Sequence, residues 1–501
     1  MRRQTVPLTV LALVFLLTGL PLFGGDVQQD LRILQEFQYD KIELNSATID
    51  SLLAQPLTLN DCVAIALKNN IQLQIDRLEY NRVYLAKKGT YQNFIPDFSV
   101  TGQRTKTSDL DSLDQISKRT TADDINLVLS EKMPLGGSIQ FTTRIARETD
   151  DITRLSDSPS RLWSIDFTQP VLKGFGYSIA YSEVKLASLD YQIEQIRLRA
   201  LILNTIFQVK EAYFNVLRQK KLIEATQKAI ERDKTLKEVS RAKVEAKLAT
   251  RRDILSAEII LQKDHAELVR AQTEYQGALD YLKDVMGVPI EREIRLAVDK
   301  LPFQPVEIQE EAWIQEALAN NLEIKLQEMV LKKGQFQTKL AANNLLPALD
   351  IELGYSRLDD NDVRRDSRNR DLYAGLRFSY PLYNVQASTE KQRAILAERQ
   401  LQRVLEDSRR QVIRRVRNAA RSMTRSITRI QILLKNIEAA KEKVQFATTM
   451  FNMGRASNLD ITDAQEDLLN AEVDLVEEVA DYYIQLAQLE ELLGGKILVE
   501  L

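Results

Sequence analysis

Cysteine and histidine are scarce in this chain of 501 residues, and that scarcity excludes most metalloenzyme chemistry. There is one Cys (Cys62) and one His (His265). The ligands for HExxH zinc centres, Cys/His zinc clusters, two-histidine facial triads and haem c attachment are therefore missing, and no internal disulfide can form. Neither a Walker A nor a G-x-S-x-G motif occurs. His265 lies beside the seam of a charged helix with no nucleophile patterned near it, which marks a solvated or salt-bridged side chain. Cys62, at a helix start, reads as a small buried apolar residue. Asp359-Asp360-Asn361-Asp362 has the composition of a calcium loop but lacks the bidentate Glu at the required distance, so it is read as surface loop. No catalytic residue, no metal and no cofactor is expected.

The carboxylates that remain interesting are Asp460 and Asp463, three apart and on one face at the start of a helix, where the helix dipole favours negative charge. Simple helix capping is one reading of them. A ring of charge around a narrow opening is the other, with Asp253 on a matching turn placed to pair across to Arg455. Arg410, Arg414, Arg417, Arg421 and Arg425 form a helical stripe, read as pairing with acids on neighbouring helices, or else as lining a lumen or meeting a partner.

The elements that must position these residues are mostly helical. Gly 17 and Pro 12 amount to about half their usual share, too little punctuation for an all-β protein. Lys+Arg 68 against Asp+Glu 71 gives a net charge of −3, spread along the chain, so no nucleic acid partner is indicated. Residues 1–25, with Arg2, Arg3 and an apolar run from Val6 to Phe23, read as a secretory signal peptide. No later stretch holds the 18 or so apolar residues that a membrane-spanning helix needs.

Beyond the leader the chain repeats itself. Ala66-Leu67-Lys68-Asn69-Asn70-Ile71 recurs as Ala317-Leu318-Ala319-Asn320-Asn321-Leu322, and Asn93-Phe94-Ile95-Pro96 as Asn344-Leu345-Leu346-Pro347, both at an offset of 251. Phe167-Thr168-Gln169-Pro170 matches Phe378-Ser379-Tyr380-Pro381 at 211, and Asp253-Ile254 matches Asp460-Ile461 at 207. This reads as an internal duplication: an N-terminal segment 26–57, repeat one over 58–290, a linker 291–307, repeat two over 308–495 and a tail 496–501.

Each repeat follows one plan of helix, strands, very long helix, turn and helix. Helices are expected near 59–95, 176–246 and 253–288, then 309–346, 384–452 and 458–493. Ile254, Leu261, Leu268, Tyr275 and Leu282 recur every seven residues, beside Ala257, Ala271, Ala278 and Val285. Only Asp264 breaks that second row. Val416, Met423, Ile430, Ile437, Val444 and Phe451 make the matching seam in repeat two. Between the helices, at 97–170 and 348–381, the period drops to two. Trp163, Ile165 and Phe167 alternate with Ser164, Asp166 and Thr168, and Ile351, Leu353, Leu376 and Phe378 sit among polar neighbours in the same way. Repeat one holds a further hairpin near 125–145, while 103–123, 146–160 and 357–371 read as polar loops. An apolar face suits lipid, yet four or six strands are too few for a barrel of about eight or more. Several chains must then share one barrel, and three is the smallest number that leaves an open pore.

In this order and duplication the sequence resembles the TolC-like outer-membrane efflux proteins over about 57–495. The residues that carry the resemblance are Leu57-Thr58-Leu59, the Asn-Asn motif, Pro96 and Pro347, Pro170 and Pro381 with Gly174-Phe175-Gly176, Ala212 to Leu217, and the tip from Met453-Gly454 to Ala464. The resemblance implies a mainly α protein with a β part: a trimeric outer-membrane β-barrel continued by a long coiled-coil α-helical periplasmic tunnel. It implies a homotrimer in outer-membrane lipid that docks to a periplasmic adaptor (membrane fusion) protein and to an inner-membrane pump or ABC transporter. The function implied is passive exit of small molecules or proteins in efflux or type I secretion. It also places Asp460, Asp463, Asp253 and Arg455 at a periplasmic aperture, Gly454 and Lys247 at the hairpin tips, and Pro96, Pro170, Pro347 and Pro381 at barrel-helix junctions. Lys247 departs from the family, which has Gly there. The residues alone also admit a secreted coiled-coil scaffold or tether of the cell envelope with no pore.

Overall fold

The computed structural model describes residues 53, 55–110, 117–150, 159–247, 250–297, 303–362 and 365–496. The leader expected over 1–25, nearly all of 26–57 and the end of the tail lie outside the described residues. The chain divides into two compact units. In the smaller, which ends at Asp61 and includes Glu293–Ala297, Leu57 forms a parallel bridge with Leu296. Thr58 caps the helix that starts there, its N and Oγ1 donating to Asp61 Oδ2 at 2.9 and 2.7 Å.

The larger unit holds nearly all of the secondary structure. Its first half runs α1 (Leu59–Asn69), α2 (Ile71–Thr90), β1 (Asp97–Leu110), β2 (Ser117–Lys132), β3 (Ser138–Asp150), β4 (Ser160–Pro170), α3 (Ser182–Glu245) and α4 (Arg251–Met286). The second runs α5 (Glu310–Asn320), α6 (Leu322–Asn343), β5 (Ala348–Asp362), β6 (Arg365–Ser379), α7 (Val385–Asn452) and α8 (Asn458–Leu492). At 64 and 68 residues, α3 and α7 are each about 100 Å long at 1.5 Å per residue. Two shorter helices, end to end, pack along each: α2 and α4 on α3, and α6 and α8 on α7. Because α6 and α8 also touch α3, the helices form one row, with α2/α4 at one border and α7 at the other.

The strands form one antiparallel sheet in the order β1-β2-β3-β4-β5-β6. The count is six, with the extra hairpin of the first half inserted as β2 and β3. Much of what the sequence suggested as polar loop is strand: 103–110, 117–123, 146–150, 357–362 and 365–371 all lie in the ladder. These segments are polar on both faces, so alternation does not reveal them. Backbone pairing and side-chain ion pairs extend them instead, among them Arg104 with Asp123 and Arg144 with Asp124. Asp359, expected in a loop, ends in β5 and pairs with Arg357 at 2.9 Å.

The helices expected as 59–95 and 309–346 are each broken at the second Asn of the repeated motif. Asn70 and Asn321 adopt extended conformations, with ψ of 121° and 127°. Asn70 Oδ1 caps α2 by accepting from Leu73 N (3.0 Å), and its Nδ2 donates to Val285 O near the end of α4 (2.8 Å). Asn321 does the same, accepting from Glu323 N and Ile324 N and donating to Leu492 O at 3.0 Å. One side chain thus satisfies donors at the start of one helix and a carbonyl orphaned at the end of another. Asn321→Ala should lower stability by about 1–3 kcal/mol, since both the cap and the buried bond are lost. Asn321→Asp, which keeps the capping oxygen, should recover part of the loss in chemical denaturation; equal loss in both variants would mean that the cap contributes nothing.

Candidate functional site

Two regions are built for something other than stability: the sheet surface and the tips of the two helical hairpins. The register places Trp163, Ile165, Phe167, Ile351, Leu353, Leu376 and Phe378 on one face of the sheet, through the pairs Trp163↔Arg357, Ile165↔Tyr355, Phe167↔Leu353, Ile351↔Leu376 and Leu349↔Phe378. Phe98, Val100, Leu127, Leu129, Phe141 and Tyr355 join them there. This apolar band is open: Leu376 is 76% exposed and Phe378 66%. The opposite face is polar and internally bonded, with Arg377 to Glu352 at 2.8 Å and Tyr373 Oη donating to Asp166 at 2.8 Å. Among the described residues, strands β1 and β6 have no strand on their outer sides.

Prolines mark where sheet meets helix. Pro96 and Pro347 stand one residue before β1 and β5, Pro170 closes β4, and Pro381 lies two residues after β6. Around them Val171 N donates to Leu349 O (2.8 Å) and Gly174 N to Asn343 Oδ1 (3.0 Å). The turn between β2 and β3 folds onto this junction so closely that a Cβ at Gly136 would lie 2.3 Å from Gly174 O.

At the far end, the two tips share one geometry. Lys247 and Gly454 each follow a helix end in the left-handed region, at φ 57° and 74°. Thr250 and Ser457 then open α4 and α8 with capping boxes closed by Asp253 and Asp460. Asp253 Oδ2 accepts from Thr250 N and Oγ1, both at 2.8 Å. Asp460 Oδ2 accepts from Ser457 N and Oγ, both at 2.7 Å, and the bond from the Ser457 backbone holds its carboxyl below the ordinary value. Among the described residues no ion pair joins Asp253 to Arg455: capping has claimed the carboxylate. Asp463 and Arg455 are both exposed, and Lys247, Arg251 and Arg252 stand exposed on the other tip.

The tips are fastened to each other by contacts that the sequence did not announce. Leu236 packs with Ala447, Phe451, Ile461 and Ala464. Lys243 donates to the Phe451 carbonyl and lies 3.2 Å from its ring centroid. Asn458 Nδ2 donates to Asp253 O (2.8 Å), while Ser240 Oγ donates to Asn458 Oδ1 (3.0 Å). The available signal was Asn458 itself, a polar residue one place inside a helix start.

The arginine stripe departs from expectation. Among the described residues only Arg417 of its five members pairs, with Glu310 at 3.3 Å, while the carboxylates of α6 go to Arg409 and Arg415. Arg410, Arg414, Arg421 and Arg425 line shallow grooves on the exposed side of α7. The buried seam residues Val412, Val416, Met423 and Ile430 occupy the other side of that helix. Cys62 is fully buried, and His265 is half-buried on α4.

Comparison with known proteins gives the following. The model of the outer membrane efflux protein family matches residues 313–495. The outer membrane protein TolC of Vibrio cholerae is 23% identical over 355 residues, covering 69% of this chain and 79% of that protein. The alkaline protease secretion protein AprF of Pseudomonas aeruginosa is 21% identical over 355 residues, covering 70% and 72%. Among solved structures, the outer membrane protein VceC of Vibrio cholerae aligns with a TM-score of 0.66 at 15% identity, over 88% of this chain and 96% of that one.

The matched tips also generate a test. An L residue other than Gly in the left-handed region costs about 1 kcal/mol, and a Cβ at Gly454 meets nothing within 4 Å. Lys247→Gly should therefore stabilise the protein by about 1 kcal/mol, and Gly454→Lys should destabilise it by a similar amount. Denaturation followed by circular dichroism reads both; opposite signs from these would show that other contacts set the turn.

Proposed function

Because this chain belongs to the TolC-like outer-membrane efflux family, we infer that it is the outer-membrane exit duct of a tripartite efflux or type I secretion system, built from three copies. The observation that carries the reading is the pair of open borders. An exposed apolar sheet face belongs in lipid, where an unpaired strand edge leaves backbone groups without partners. Pairing β6 of one copy with β1 of the next removes both edges. Three copies of a six-stranded sheet then make a barrel of eighteen strands, in the range that encloses a lumen. Trp163, Ile165, Phe167, Ile351, Leu353, Leu376 and Phe378 face lipid, and the polar face lines the passage.

The same closure serves the helices. Ile71, Ile75, Leu78 and Leu85 form an exposed apolar stripe on α2, with Ile71 68% and Leu78 70% exposed. Leu255, Ile259 and Val269 extend it on α4, while Leu396, Ile432 and Phe446 are exposed on α7 at the opposite border. A neighbouring copy covers both, and the unpaired arginines of α7 meet it too. The barrel lies in the outer membrane and the helices form a periplasmic tunnel. The duct is passive and does no chemistry. With no nucleotide-binding motif in the chain, energy comes from an inner-membrane pump or ABC transporter, reached through a periplasmic adaptor. A secreted scaffold without a pore would leave the apolar sheet face in water, which disfavours that alternative.

At the tip, Asp463 is the carboxylate that capping leaves free, and we assign the charge filter of the periplasmic aperture to it, among Asp460, Asp253 and the basic Arg455. Asp463→Ala should lower cation preference in planar bilayers, on the order of twofold at low salt, where screening is weak. Asp460→Ala should mainly cost about 1 kcal/mol of helix stability. Unchanged selectivity in the Asp463 variant would remove the filter.

The duct itself is tested by fractionation: a heat-modifiable trimer extracted from outer membranes is expected, and an elongated soluble species overturns the reading. Charge on a lipid face costs about 2–4 kcal/mol near the midplane. Phe378→Arg should therefore deplete assembled trimer far more than Ser379→Arg. Equal depletion would mean that the apolar face does not meet lipid.

A further inference from the structure

The seam between α3 and α4 contains a pair of acids at core positions. Asp233 on α3 is 4% exposed and Asp264 on α4 is 9% exposed; both line one groove and they interact electrostatically. Asp264 is the residue that breaks the alanine row of its helix. The second hairpin offers an internal comparison, because the tips correspond at an offset of 207. At that offset Asp233 and Asp264 become Ala440 and Ala471, which pack together with Ile437 and Leu468 in an apolar cluster. One hairpin is thus closed by methyl groups where the other is closed by two carboxyls.

Arg232 and Lys263 favour the ionised pair, but burial outweighs them. The pair borders a groove of about 450 Å³ between α3, α4 and α8. From α4, Lys263 is taken by Glu466 of α8 at 2.8 Å, and Glu267 adds negative charge. Glu466 itself faces the pair from α8, beside the polar Gln465 and Thr462. Of the arginines nearby, Arg218 is held by Asp481 and Arg270 by Glu267 and Glu274, while Arg232 on α3 has its Nε and Nη2 without an acceptor among the described residues. Asp233 Oδ2 is buried without a partner. Two adjacent carboxylates in such a site resist ionising together, so at lower pH they hold one proton between them.

We propose that Asp233 and Asp264 form a proton-binding site that couples the closure of the first hairpin to pH, locked when the pair shares a proton and loosened when the proton passes to water. The site stands twelve residues above the end of α3, about 18 Å by helical rise, and below it lie the contacts of Lys243 and Asp253 with the second hairpin. Loosening the seam therefore loosens the side of the tip that those contacts hold. The position of that tip at the mouth of a duct rests on the function proposed above; the proton site itself does not.

The sign follows from linkage. Burial, with the Asp264 charge second, pushes Asp233 up to about 7, and burial raises Asp264 as well. A folded value above the ordinary one gives stability that is full below the unfolded pKa and lost as pH rises through the folded value. For one proton, the opening constant of the seam rises about tenfold per pH unit between pH 5 and 6.5 and levels off above 7.

Hydrogen exchange of the detergent-extracted protein, corrected for intrinsic rates, reads this in peptides covering 225–245 and 255–271, with 433–447 and 464–475 as the internal control. The expected result is a pH-dependent opening in the first hairpin and none in the second. In Asp233→Ala/Asp264→Ala, which copies the second hairpin, the dependence should vanish. Asp264→Asn, which keeps the side-chain volume, should reduce it even where the alanine pair fails to assemble. A flat wild-type profile, or the same slope in either variant, overturns the proposal. Because exchange is read whether or not the protein conducts, a flat profile in a conducting trimer counts against the proton site alone. Loss of trimer and conductance counts against the duct alone.

Discussion

The constraint on which the rest depends is that backbone donors and acceptors cannot be left unpaired in lipid. The six-stranded sheet has an apolar band on one face and a polar, ion-paired face on the other, so it is suited to neither water nor hydrocarbon by itself. Its borders β1 and β6 must find partners there, which in the function proposed above are the borders of neighbouring copies. The row of helices has the same logic in a different chemistry. Its borders, α2/α4 and α7, carry exposed Ile, Leu and Phe side chains, and the hydrophobic effect plays the part that hydrogen bonding plays in the sheet.

Between the borders, the two halves are held by paired polar devices used twice. Asn70 and Asn321 each join the start of one helix to the end of another. Thr250 with Asp253 and Ser457 with Asp460 each rebuild a helix start after a tight turn. These side chains hold long, narrow helices in register where the apolar seams run out. The departures from the repeat are then informative: Lys247 in place of Gly, and Asp233 with Asp264 in place of Ala440 and Ala471. Both lie in the first hairpin, toward the tip.

The charges sort by what surrounds them. Asp460 and Asp253 are occupied by capping, so their negative charge is shared with helix donors, whereas Asp463 is free to face solvent. Arginines on the sides of α7 reach carboxylates on α5 and α6, and those on its outer face do not. A stripe spaced along one helix therefore split into paired and unpaired members according to a neighbour that the sequence alone could not place.

The sequence by itself determined what depends on period and on local chemistry. The period of seven in Ile254 to Leu282 specifies a helical seam, the period of two around Trp163 and Phe378 specifies a two-faced strand, and a single Cys and a single His leave no ligand set for Cys/His metal centres. Tertiary structure decided whatever rests on a partner distant in the chain. The strands extend through 103–110 and 117–123 because their neighbours supply hydrogen bonds, although no hydrophobic pattern marks them. Asn70 breaks a helix because Val285 O, 215 residues away, accepts its bond. Asp253 caps its own helix because Thr250 is three residues away and Arg455 is not. Asp264 looked like a flaw in an alanine row until Asp233 stood opposite it. Local pattern records which face a residue occupies, but a hydrogen bond or a shared proton needs the identity of the group across the gap, which only the fold supplies.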